Sequence, residues 1–146
     1  MTLAEFILAW RVLAPSIKGK CFYCGKQTSK DGKPHHAHFQ TKDHVIPHSA
    51  KGDAMCMIAH GNRVVCCWKC NHIKSDYTMQ EFKLRSGIKT FYAEEVLGVR
   101  VEDLSDIKEI NHRIKTTRKV AERSIKFNGK PELQDFLPPS TTDPQV

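Results

Sequence analysis

Residues 62–76 read Asn62-Arg63-Val64-Val65-Cys66-Cys67-Trp68-Lys69-Cys70-Asn71-His72-Ile73-Lys74-Ser75-Asp76, and the fold turns on how this stretch is read. Val64-Val65 is a β-branched pair that suits a brief strand. Cys67-Trp68-Lys69-Cys70 is a Cys-x-x-Cys knuckle that follows it directly. An earlier knuckle, Cys21-Phe22-Tyr23-Cys24, is followed by Gly25, which favours the tight turn in which backbone amides point at thiolate sulfur. One knuckle alone is modest evidence, whereas two in one chain point to a shared site. Four thiolates satisfy tetrahedral Zn²⁺ and leave no open position, so Cys21, Cys24, Cys67 and Cys70 are expected to hold a structural zinc. Its binding free energy, roughly 10–16 kcal/mol, is comparable to the whole stability of a small domain. Cys66, at poorer knuckle spacing, reads as a buried strand residue, and Cys56 as a free thiol.

The rest of the chain sets bounds on function. Its 146 residues suit one domain with tails, and 40% hydrophobic with 27% charged residues is a globular composition. No apolar run exceeds Phe6 to Trp10, far short of the ~20 residues that span a bilayer. Glu5 and Arg11 interrupt the N-terminal apolar stretch, and no small-residue cleavage site follows, which speaks against a signal peptide. A cytoplasmic protein without a membrane partner is expected, and there six cysteines point to metal before disulfides. The balance of 23 Lys and Arg against 16 Asp and Glu gives +7, a charge that attracts polyanions such as nucleic acid.

Periodicity divides the chain. Leu3, Phe6, Ile7, Trp10 and Leu13 predict an amphipathic helix from Thr2 to Leu13, stopped by Pro15 and packed on the core, within an N-terminal region 1–20. Residues 25–38 read as loop with room for a short hairpin. Val45-Ile46 suits a first strand, and Pro47 to Gly61 a long surface loop, which is more often functional than filler. Thr78 with Glu81 forms a capping-box pattern for a short helix closed by Gly87. Phe91 to Leu97 suits another, ending at Gly98. Ser105 can cap a longer helix from Asp106 to Phe127, with Ile107, Ile110, Ile114, Ala121 and Ile125 on one stripe and Asn128-Gly129 as its stop. The expected organisation is a core at 21–78, a basic helical extension at 79–130 and a disordered, proline-bearing tail at 131–146.

Between the knuckles lie Asp43-His44-Val45-Ile46-Pro47, then Asn62 before a β-branched pair, then Cys-x-x-Cys-Asn-x-x-Lys ending at Lys74. This order resembles the HNH endonucleases, and the match runs from Cys21 to about Asp76. Many members place His directly after the second knuckle, where this chain has Asn71. The Asn variant recurs in the family, including the HNH domain of RNA-guided CRISPR nucleases, whose Asn-x-x-Lys-Ser-Asp resembles Asn71 to Asp76. The resemblance implies an α+β fold: a small zinc-stabilised ββα-metal core of two strands and a helix, with flanking helices. It implies His44 as general base, Asp43 and Asn71 as ligands of a catalytic divalent ion, and Asn62 orienting His44. The residue types agree with that chemistry. An imidazole titrates near neutrality, and hard oxygen ligands suit Mg²⁺ or Mn²⁺. Adjacent strand residues point to opposite faces, so Asp43 and His44 call for local distortion or an arrangement across the strand's end. His72 beside Asn71, and His48 in the long loop, are further candidates at the same site. His35, His36 and His38 read as exposed loop histidines.

The family resemblance implies metal-dependent hydrolysis of double-stranded DNA, with the core helix entering the minor groove and little sequence reading by the core itself. Lys74 is expected either on a solvated helix face or at a phosphate. Residues 105–130 carry +5, making Arg113, Arg118, Lys119 and Arg123 the candidate phosphate-tracking residues. Two alternatives stay open: a junction-resolving, endonuclease VII-like nuclease, and a zinc-stabilised DNA-binding module that does not cleave.

Overall fold

The computed structural model describes residues 1–47 and 62–128, with main chain alone for 121–128. The expected long loop with His48 and Cys56, the stop at Gly129 and the 131–146 tail lie outside the described residues, as do the side chains of Ala121, Arg123 and Ile125.

Helix α1 (Leu3–Ile17) starts in a reciprocal cap. Thr2 Oγ1 accepts from the Glu5 amide at 3.2 Å, and Glu5 Oε1 accepts from the Thr2 amide at 2.8 Å. Leu3, Phe6, Ile7 and Trp10 are buried along one stripe, whereas Leu13 is exposed. The helix runs through Pro15, where the sequence predicted a stop. Proline in a last turn deletes one intrahelical bond, to the carbonyl of Arg11, and the helix closes a turn later with Lys18 in the left-handed region at φ 53.

The chain then forms two isolated bridges, Lys20 with Gln27 and Ser29 with Phe39. Strands β1 (Gln40–His44) and β2 (Arg63–Cys67) make a two-stranded antiparallel sheet in which Asp43 faces Val64 and His44 faces Arg63. Val64-Val65 falls inside β2 as predicted. Val45-Ile46 does not fall in a strand: β1 stops one residue earlier, and the buried pair is held beyond it by Asn62. The Val45 amide donates to the Asn62 carbonyl at 2.9 Å. The Ile46 amide donates to Asn62 Oδ1 at 2.8 Å, and Asn62 Nδ2 donates to the Ile46 carbonyl at 2.6 Å. A carboxamide thus replaces the next rung of the ladder.

Helix α2 (Trp68–Lys74) follows β2 without a linker, and Ser75 ends it at a positive φ of 48. Helix α3 (Met79–Ser86) begins at the Thr78–Glu81 capping box and ends at Gly87; α4 (Tyr92–Leu97) ends at Gly98. Both glycines adopt left-handed φ, as their predicted stopping role requires. After a 3-10 turn (Val101–Asp103), α5 spans Ile107–Asn128. Ser105 does not cap it. Its hydroxyl donates to the Met1 carbonyl at 3.3 Å, while Asp106 Oδ1 accepts from the Leu3 amide at 2.9 Å. The start of α5 is therefore pinned to the start of α1.

Edge-to-face aromatic contacts run through the core. Trp10 meets Phe22 at 5.4 Å between centroids, Phe22 meets Tyr23 at 4.9 Å, and Tyr23 meets Phe82 at 4.9 Å and Phe91 at 5.1 Å. Ile107, Ile110 and Ile114 close one side. The result is a small α+β fold in which the first knuckle sits in the middle of the core. Among the described residues no helix is long and apolar enough to cross a membrane.

Candidate functional site

The two knuckles meet. One sulfur from each of Cys21, Cys24, Cys67 and Cys70 lies within 4.8 Å of every other. A tetrahedron with metal–sulfur bonds of about 2.3 Å has edges of about 3.8 Å, and Cys24 Sγ lies 3.8 Å from Cys67 Sγ. The amides of Tyr23 and Cys24 point at Cys21 Sγ at 3.4 and 3.5 Å, and the Cys70 amide points at Cys67 Sγ at 3.5 Å. These donors favour sulfur as thiolate. Crowding splits the titration of the thiols. Hydrogen bonding from Cys21 draws Cys67 down to about 7. The same partner holds Cys24 far below the ordinary thiol range and pushes Cys70 up. The donor set and its dimensions fit a tetrahedral metal such as Zn²⁺. Cys66 stands apart: it is buried, its thiol is pushed up by burial, and its Sγ lies 3.4 Å from Thr41 Oγ1.

The unit β1–β2–α2 brings the other motif residues together around β1. Asp43 is 5% exposed and faces inward. Its Oδ2 accepts from Tyr23 Oη at 2.5 Å and lies 3.2 Å from Lys74 Nζ. Lys74 is wholly buried and also donates to the His44 carbonyl at 3.0 Å. This differs from the surface position expected of it. A lysine that ends a short helix is buried here because a carboxylate and a carbonyl from β1 receive its charge. Burial, then the charge of Asp43, raises the Tyr23 phenol well above its ordinary range, so it stays protonated and donates.

Asn71 lies one helical turn before Lys74 and faces the same strand. Its Nδ2 donates to Thr41 Oγ1 at 3.1 Å, and Thr41 shares a face with Asp43 two residues on. With the nitrogen so used, the side-chain oxygen of Asn71 is its ligand-capable end. Asp43 and Asn71 thus border one β1–α2 face. The cation that meets the Asp43 carboxylate here is the Lys74 ammonium.

His44 is the last residue of β1 and is half-buried. Strand pairing is regular through it, so the backbone carries no local distortion between Asp43 and His44. Asn62 was expected to orient His44, and the hydrogen bonds of its carboxamide go to the main chain of Ile46. His72 is exposed and stacks on Trp68 at 4.7 Å, with His35 edge-on to the same indole at 5.5 Å. His36 and His38 are exposed, as expected.

On α5, Arg113 pairs with Glu109 at 2.9 Å. Arg118 forms a bidentate pair with Glu81, at 2.9 and 2.7 Å, and lies over the Tyr77 ring at 4.6 Å. Its guanidinium docks α5 on α3 instead of standing in solvent. Lys119 is exposed.

Sequence reasoning missed Tyr23 and Thr41, the partners of Asp43 and Asn71. Tyr23 sits inside the first knuckle, and a phenol at that position offered the one available signal. No family model, curated protein or solved structure matches the chain.

Proposed function

We propose that this chain is a metal-dependent endonuclease of the HNH type, hydrolysing phosphodiester bonds of duplex DNA on a scaffold braced by zinc at Cys21, Cys24, Cys67 and Cys70. One observation carries the reading: Asp43 and Asn71 border a single β1–α2 face beside the four-cysteine cluster, with His44 ending the same strand. Hydrolysis needs an activated water and neutralisation of charge on the phosphate and the departing 3′ oxygen.

In this reading His44 accepts the proton of the attacking water through its imidazole, the side-chain type suited to proton transfer near neutrality. Asp43 and Asn71 offer oxygen ligands to Mg²⁺ or Mn²⁺, which when bound supplies charge neutralisation at the phosphate. Tyr23 fixes the Asp43 carboxylate by hydrogen bonding. Lys74 pairs with that carboxylate and, through the His44 carbonyl, ties it to the end of β1. Asn62 holds the backbone after His44 and so limits where the imidazole can swing.

The test is conversion of supercoiled plasmid with Mg²⁺, Mn²⁺ or EDTA, alongside a zinc-loaded His44→Ala variant. Metal-dependent nicking lost in the variant is expected. Equal nicking by both proteins rejects the assignment of His44. A second reading, a zinc-braced DNA-binding module without cleavage, is favoured by the Lys74–Asp43 pair, because the carboxylate is already neutralised by a resident cation. DNA binding with no nicking under any metal would select it.

A further inference from the structure

The opposite face of the hairpin holds a second feature. A cleft of about 240 Å³ lies between the C-terminal half of α1 and the sheet, lined by Trp10, Arg11, Ala14, Pro15, Lys42, Arg63, Val64 and Val65. Three cations come from three elements, and no carboxylate lines it among the described residues. Arg11, Lys42 and Arg63 are all exposed.

Register ties the cleft to His44. Lys42 precedes His44 by two residues on β1, so both side chains leave the same face, whereas Asp43 leaves the other. Arg63 is the direct cross-strand partner of His44, and directly opposed residues in an antiparallel pair share a face. Lys42 and Arg63 therefore flank His44 on one surface, and Arg11 faces them across the cleft from α1. Trp10, 2% exposed, forms a rigid floor.

The geometry points to Arg11, Lys42 and Arg63 as the phosphate-backbone contacts that hold nucleic acid against His44. The inference deepens the proposed nuclease reading and rests on it for the choice of duplex DNA as partner. Converging cations on a groove wall position a polyanion without reading its bases, which suits a core expected to cut with little sequence preference. Each phosphate contact releases counterions, so these three side chains set a salt dependence that substitution removes.

The test uses the full zinc-loaded chain and a fluorescein-labelled duplex, with affinity followed by anisotropy from 50 to 200 mM salt, a range chosen because phosphate contacts act strongly across it. Two variants lose the same charge: Arg11→Gln with Lys42→Gln and Arg63→Gln, and Lys108→Gln with Lys115→Gln and Lys119→Gln on α5. Thermal unfolding checks that each is folded, and single Arg63→Gln serves should the triple cleft variant fail. The cleft variant is expected to bind roughly tenfold or more weakly, with its log–log salt slope reduced by about 2–3. The single variant should lose about 1 unit of slope, and the α5 variant less than 1. An unchanged cleft slope, equal losses in the two triple variants, or no binding by wild type at the lowest salt would overturn the inference. Nicking is read separately: a chain that binds through the cleft but never nicks rejects the nuclease and leaves the cleft standing.

Discussion

Lys74 Nζ lies 3.2 Å from Asp43 Oδ2 with both side chains sealed from water, at 0% and 6% exposure. The pair joins the last turn of α2 to the inner face of β1, and Tyr23 joins it from the first knuckle. Isolated charges at such depth are costly, and mutual pairing with added hydrogen bonds is what makes them tolerable. Lys74 has the His44 carbonyl as well, and Asp43 has the Tyr23 hydroxyl. The ion pair therefore fixes β1, α2 and the knuckle at one point.

Replacing Lys74 with methionine preserves much of the volume and strands the carboxylate. Loss of one partner of a buried pair costs about 3–5 kcal/mol, read as a shift in the urea unfolding midpoint at unchanged slope. Adding Asp43→Asn to Lys74→Met should recover part of that loss, because the uncompensated charge is gone. If Asp43 takes a divalent cation, millimolar Mg²⁺ should stabilise Lys74→Met more than wild type. An equal effect on both proteins would count against a cation site at Asp43.

Asn62→Ala removes two buried hydrogen bonds and leaves the amide and carbonyl of Ile46 without that partner. Each unsatisfied buried group costs about 1–3 kcal/mol. Asn62→Asp keeps the acceptor for the Ile46 amide and loses the donor to its carbonyl, so its destabilisation should be smaller unless the new charge stays ionised. Nicking should fall in Asn62→Ala even where the protein is shown to be folded, because the segment after His44 is released. Full activity in a folded Asn62→Ala would remove Asn62 from the site.

The features legible in the sequence were those written over a few residues. Thr78 with Glu81, and the glycines at 87 and 98, marked helix ends because capping is decided within one turn. The knuckles were legible because Cys-x-x-Cys spacing is a local geometry, and their convergence followed from counting donors. Lys74 was not legible. Its burial depends on Asp43, His44 and Tyr23, on two other stretches of chain, and no window around Lys74 contains them. The overrun of α1 past Pro15 has a similar origin, since propensity marks the break and the turn beyond it is settled by how the helix end caps. Arg118 looked like a groove-facing cation from its own helix, and only the fold brings Glu81 and Tyr77 to it.

That docking gives a pH signature. Burial raises the Glu81 carboxyl, but the Arg118 guanidinium and the Thr78 donors outweigh it, so its pKa lies below the ordinary value near 4.5. A depressed carboxylate contributes stability above its unfolded pKa and loses it as pH falls through the folded one. Arg118→Gln should therefore cost about 1–3 kcal/mol at neutral pH, in the range of charged hydrogen bonds. The gap from wild type should hold down to about pH 5 and narrow below it. A gap independent of pH down to acid unfolding would show that Arg118 acts through packing on Tyr77 alone.

The adjacent cysteines 66 and 67 separate ligand from core residue most sharply. Cys67 Sγ belongs to the four-sulfur cluster, whereas Cys66 Sγ lies beside Thr41 Oγ1 on the inner face of the sheet. Cys24→Ser or Cys67→Ser should lower bound zinc below one equivalent and cut thermal stability severely, since structural zinc contributes on the order of 10 kcal/mol to small metal-dependent domains. Cys66→Ser should keep a full equivalent and lose only about 1–2 kcal/mol for the buried hydroxyl, eased by hydrogen bonding to Thr41. Stoichiometry by elemental analysis and unfolding before and after chelation read both effects. If Cys66→Ser loses metal as Cys24→Ser does, the ligand set is misassigned. If chelated wild type keeps its cooperative transition, the cluster does not brace the fold.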